Sequence, residues 1–120
     1  MDVNKKRLVI VFSGFNQRAV ISFLRTMETK KINYVIIATS KNDDIFLTKY
    51  KEKVAVIRKY TSLVLDDLLL SIKKIKAEKK ENEFIIAPTT EALNRFLLEN
   101  RKKFEELGCI IPLVKKELYE

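Results

Sequence analysis

Chemistry in this chain has to be done by carboxylates, hydroxyls and cations. The sequence holds no histidine and one cysteine, Cys109. A Ser–His–Asp triad, a Cys–His pair and a histidine-containing metal site are therefore excluded. Two short segments carry usable groups at close spacing. The first is Ser13-Gly14-Phe15-Asn16-Gln17-Arg18. Gly14 would let backbone approach a ligand closely, and Asn16, Gln17 and Arg18 add donors. A helix starting here would offer its free N–H groups and positive pole to an anion such as a phosphate. The second segment is Pro88-Thr89-Thr90-Glu91, two hydroxyls and a carboxylate at another helix start. Glu91 could accept a hydrogen bond from a substrate amine or hydroxyl. Both segments also have a plainer use. Ser13 or Asn16, and Thr89 or Thr90, are good helix caps, and a first-turn acid complements the helix dipole. The substrate-binding candidates are Ser13, Gly14, Asn16, Arg18, Thr89, Thr90 and Glu91; no catalytic residue and no metal ligand is assigned.

Other charged features have weaker claims. Asp43-Asp44 follows an apolar run, but the phospho-acceptor pocket of a receiver domain needs an acid after the third strand, where Ile57-Arg58-Lys59 stands. These two acids are expected to cap a short helix. Asp66-Asp67 falls early in a helical pattern, where acids belong. Lys73, Lys74, Lys76, Lys79 and Lys80 read as a solvated helix end without interleaved aromatics, so a stacking platform for single-stranded nucleic acid is missing. The net charge of +8 admits an anionic partner, but no nucleic-acid motif accompanies it and nucleic acid is not an expected partner. A lone cysteine forms no internal disulfide, and beside Ile110 and Ile111 it reads as a small buried apolar residue. That fits a reducing, cytoplasmic setting.

The elements that must position these segments follow from the apolar pattern. Leu8-Val9-Ile10-Val11-Phe12, Tyr34-Val35-Ile36-Ile37-Ala38, Val54-Ala55-Val56-Ile57 and Phe84-Ile85-Ile86-Ala87 are continuous apolar runs, as expected of strands buried on both faces. Ile110-Ile111 begins a short fifth strand ended by Pro112. Between the runs, Ala19, Val20, Phe23, Leu24 and Met27 recur at helical spacing. So do Leu65, Leu68, Leu69, Ile72 and Ile75, and Leu93, Phe96, Leu97, Phe104 and Leu107 trace a third helix. Gly108 fits the left-handed position that closes it. Residues 41–53 read as a short helix or irregular crossover. Residues 115–120 resemble the first turn of another helix, which suggests the front piece of something longer.

The expected fold is α/β: a three-layer, Rossmann-like open parallel sheet of four to five strands with helices on both faces, residues 1–120 forming one domain. Ligands in such sheets bind beyond the strand carboxyl ends, where strand order reverses. The loops after the first and fourth strands qualify. Only Gly14 of a G-x-G-x-x-G pattern is present, and Ala38-Thr39 ends the second strand without the acid that would grip a ribose, so a dinucleotide site is not expected. No apolar run approaches a membrane span. Lys5-Lys6-Arg7 before Leu8 mimics a signal peptide, but the apolar stretch is short and no small-residue cleavage site follows.

In this order the segments resemble the N-terminal domain that precedes the catalytic part of ATP-grasp ligases, the carbamoyl-phosphate-synthase-like members above all. The resemblance runs over nearly the whole chain. It rests on the first apolar run with Ser13-Gly14, on Tyr50-Lys51-Glu52-Lys53-Val54, on residues 84–93 with Pro88-Thr89-Thr90-Glu91, and on Phe104-Glu105-Glu106-Leu107-Gly108-Cys109-Ile110-Ile111. It implies the substrate-side domain of an ATP-dependent carboxylate–amine (or thiol) ligase, not catalytic alone. By the same resemblance, Ser13-Gly14 and the following helix start face the substrate, and Glu91 contacts it. ATP and Mg2+ are implied for the full-length enzyme, and no cofactor for this chain. The implied partners are a small-molecule substrate and an ATP-grasp domain in the same or a partner chain, with a homodimer as a further option and no membrane. The basic, glycine-poor first loop departs from a conventional phosphate grip. A stand-alone Rossmann-like ligand-binding or regulatory module is the alternative.

Overall fold

A computed structural model of the chain describes residues 6–14, 16–79 and 83–112. The apolar runs form strands β1 (Arg7–Phe12), β2 (Tyr34–Ala38), β3 (Val54–Ile57), β4 (Glu83–Ala87) and β5 (Cys109–Ile110). Helices α1 (Gln17–Thr29), α2 (Leu65–Glu78), α3 (Glu91–Glu99) and α4 (Arg101–Glu106) lie between them. All pairings are parallel, and the strand order is β3-β2-β1-β4-β5. This is an α/β, Rossmann-like open sheet.

Alternation along each strand sends side chains to two cores. Leu8, Ile10 and Phe12 join Val35, Ile37 and Ile86 on one face, under Leu68, Ile72 and Ile75 of α2, Leu93 and Leu97 of α3 and Phe104 of α4. Val9, Val11, Tyr34 and Ile36 face the other way, under Val20, Leu24 and Met27 of α1. Covering on both faces explains why β1 and β2 carry almost no polar residue. The chain moves outward from β1 through β2 to β3, and α2 then carries it back to β4 on the other side of β1. Strand order reverses between β1 and β4, which pair from Arg7↔Glu83 to Val11↔Ala87.

Two expectations need correction. The third helix is not continuous: it stops at Asn100 and restarts as α4. The Asn100 side-chain amide donates to the Phe96 carbonyl at 2.9 Å, the local competition with helix bonding that asparagine offers. The fifth strand pairs one residue earlier than read, with Cys109 opposite Phe84 and Ile110 opposite Ile85. Residues 41–53, read as a short helix or irregular crossover, form two 3₁₀ turns, Asp44–Leu47 and Lys49–Lys53. Gly108 does take a left-handed conformation, at φ +85°. The helix start expected at residues 115–120 lies outside the described residues. Among the described residues no helix is long and apolar enough to cross a membrane.

Candidate functional site

The reversal places the two singled-out loops side by side. Val11 and Ala87 are partners in register, so the residues that leave β1 (Ser13, Gly14) and β4 (Thr89, Thr90) emerge from adjacent strand ends. Pro88 has no N–H and ends the β4 ladder, and the Thr89 amide turns back to the Ala87 carbonyl at 3.1 Å.

The β1 loop is tied inward. Ser13 is fully buried. Its hydroxyl lies 2.9 Å from Asp43 Oδ1 and 3.2 Å from Gln17 Oε1, and Gln17 Oε1 also accepts from the Gly14 amide at 3.3 Å. Asn16, rather than Ser13, caps α1 by accepting from the Ala19 amide at 3.2 Å. Gly14 sits at φ +99°, and a Cβ there would run into the Thr39 methyl group. Glycine is therefore required by close packing against the β2 loop as well as by backbone conformation. Arg18 is exposed and lines a groove along α1 with Gln17, Ile21, Ser22 and Arg25, and it is not among the residues lining the cavity at the strand ends.

Residues to which the sequence analysis gave no site role build the floor of this region. Asp43 accepts from the Thr39 amide, the Thr39 hydroxyl and the Ile45 amide, each at 2.9 Å, as well as from Ser13. Burial raises its pKa, but these hydrogen bonds outweigh burial and hold the carboxyl below its ordinary value. Its capping of the turn at Asp44–Leu47 matches expectation; its grip on β1 and β2 together does not follow from spacing. Arg58 and Asp67 form a second buried set behind β3. Arg58 donates to the carbonyls of Ser62 and Thr61 at 3.0 and 3.5 Å and stands 6.0 Å from the centre of the Phe12 ring. Burial lowers its pKa, opposed by the charges of Asp67 and Asp43. Asp67 is more than a helix-dipole acid: it is buried and accepts from the Lys59 and Tyr60 amides at 2.9 Å each. The available signal was that polar residues directly after buried strands must find partners there.

A cavity of about 230 Å³ opens over this floor, lined by Gly14, Gln17, Thr39, Ser40, Asn42, Asp43 and Asp44. Among the described residues no lysine or arginine lines it, and Asp43 and Asp44 give it negative charge. Its walls come from the β1 and β2 loops, not from β4.

The β4 loop is looser. Thr90 caps α3, accepting from the Leu93 amide at 3.2 Å. Glu91 is half exposed and pairs with Arg95 at 3.0 Å across one helical turn. Thr89 Oγ1 is buried with no hydrogen-bond partner, as are Gln17 Nε2 and, one turn into α3, Asn94 Oδ1. All three belong to the first turns or preceding loops of α1 and α3, the helices that start beside the reversal. Among the described residues no cluster of acids and cysteine could hold a metal ion. Cys109 is buried, and burial pushes its thiol up to about 11, with Lys76 opposing, so it is no nucleophile.

No protein-family model, curated protein or solved structure matches this chain.

Proposed function

We propose that this chain is the substrate-side front domain of an ATP-grasp carboxylate–amine (or thiol) ligase, binding a small molecule at the β1–β4 reversal and contributing no catalytic group. The observation that carries this reading is the strand order, which brings the Ser13–Gln17 and Pro88–Glu91 loops to adjacent strand ends. ATP and Mg2+ belong to an ATP-grasp domain in the same or a partner chain. The free thiol fits a cytoplasmic enzyme.

The two sides of the site suit different parts of a ligand. The cavity over Asp43 and Asp44 accepts the amine or hydroxyl part, because an anion there would meet two carboxylates. This moves a phosphate or carboxylate group away from the α1 loop, against the expectation from its helix start. The start of α3, where Arg95 offsets the Glu91 carboxylate and the unpartnered Thr89 hydroxyl stands beside it, accepts the carboxylate part.

Titration of the isotope-labelled chain with amino acids, simple amines and simple carboxylates tests this. Amides of Gly14, Thr39, Thr89 and Thr90 should move together with a ligand carrying both groups, and less with either group alone. No movement at these amides with any of the three classes would overturn the site. ATP turnover by the chain alone, dependent on an added acid, would overturn its role as a non-catalytic domain.

A further inference from the structure

We propose that the free edge of β3 is a docking groove for an extended, acid-bearing peptide strand of another protein. This site is independent of the reading given above. β3 pairs with β2 and with no other described strand. The Arg58 amide donates to the Ala38 carbonyl at 2.7 Å, so by alternation Ile57 turns its own N–H and C=O outward. A groove of about 350 Å³ runs along this edge, lined by Phe46, Lys51 and all of β3. Among the described residues nothing covers its apolar side chains. Ile57 is 43% exposed, and Leu47, next to Phe46, is 86% exposed. Ile57 pairs with Ala38, whose side chain lies on the α1 face, where Phe46 also packs. Leu47 lies in the turn immediately before, so the patch joins a strand edge to an apolar ledge. Strand addition needs both: main-chain bonds for affinity and alternate side-chain pockets for specificity.

Charge selects the occupant. Lys51 lines the groove, and exposed Lys49, Lys53 and Lys59 flank β3 along the chain, against exposed Asp44 and Glu52. Lysines on an edge repel a second copy of the same edge, and the whole chain carries +8. They attract a strand whose outward or flanking residues are Asp and Glu. The β2–β3 register shifts between Ile36 and Ile37, where β3 carries one extra residue, Ala55.

The test is a titration of the isotope-labelled chain with three short synthetic peptides. One alternates valine and glutamate, one alternates valine and lysine, and one is the valine–glutamate peptide N-methylated at alternate amides to block strand pairing. The valine–glutamate peptide should move the Ile57 amide and its neighbours, leave Gly14 and Thr90 still, and bind about tenfold or more tightly than the other two. Leu47→Glu combined with Lys51→Glu, both at exposed positions, should abolish that binding with an unchanged circular dichroism spectrum. Equal binding of the three peptides, or no movement at Ile57, would overturn the proposal. So would self-association that protects the Ile57 amide as protein concentration rises, because the occupant would then be a second copy.

Discussion

The loops that leave β1 and β2 and the loop that leaves β4 stand side by side at one end of the sheet, and they treat polar side chains in opposite ways. At the first, Ser13, Thr39 and Asp43 are buried and bonded to one another, and among the described residues an unpartnered group remains only at the margin, on Gln17 Nε2. At the second, Thr90 and Glu91 make helix-local contacts, while Thr89 keeps a buried hydroxyl without a partner. A closed network of this kind stabilises a fold and fixes the position of a loop. An open one keeps capacity to bind. Residue type did not separate the two, since both are runs of hydroxyls, amides and acids after a buried strand.

The contrast has measurable consequences, the largest at Gly14. Gly14→Ala should destabilise the chain by about 2–4 kcal/mol in denaturant melts, combining an unfavourable backbone region with a clash against the Thr39 methyl. Adding Thr39→Ser removes that methyl and should recover part of the loss. Full recovery would show that backbone conformation contributes nothing, and no recovery that the methyl contact contributes nothing.

Asp43→Asn comes next, at about 2–3 kcal/mol, because one carboxamide oxygen replaces two acceptors and its NH2 meets donors. Here the pH dependence has a definite sign. A carboxyl whose folded-state pKa is depressed contributes stability that is fully present above its unfolded value, about 4, and lost as pH falls through the folded value. The unaltered chain should therefore lose more stability than Asp43→Asn between about pH 4 and pH 2. Parallel acid profiles for the two would remove Asp43 as a source of stability.

The β4 side should show the reverse pattern. Glu91→Gln breaks only an exposed pair within one helical turn and a dipole contact, for about 0.5 kcal/mol or less once solvent screening is allowed for. Thr89→Val should be neutral or slightly stabilising, because a hydroxyl without a partner costs free energy when buried. Thermal melts check both. In ligand titrations the order inverts: Thr89→Val should weaken binding of an amino-acid-type ligand, with little change in melting. A substantial loss of stability from Thr89→Val would place the β4 loop with the closed network and dissolve the contrast.

Much of this was readable before any coordinates. The runs at residues 8–12, 34–38, 54–57 and 84–87 are too apolar for strands with a wet face, and alternation with helical stripes leads to a parallel sheet. Cap chemistry was legible to within a choice of two: Asn16 over Ser13, and Thr90 over Thr89. The break at Asn100 was hidden, because the apolar stripe of Phe96, Leu97 and Phe104 continues across it. The role of Lys76 was hidden as well. On the exposed helix end its ammonium also reaches the Leu107 carbonyl at the close of α4, a long-range contact that no local pattern reports.

Local pattern could thus specify which segments are strands, which faces of the helices are apolar, and which loops begin a helix, because those follow from side-chain period and short-range hydrogen bonding. It could not specify which polar residues would be enclosed. Asp43 is held by Ser13 from another strand end, and Arg58 is buried among Phe12, Asp43 and Asp67. Those neighbours meet only once the sheet takes its order. Desolvation and hydrogen-bond satisfaction are properties of the assembled neighbourhood, so only the tertiary structure decided which loop was closed and which was left able to bind.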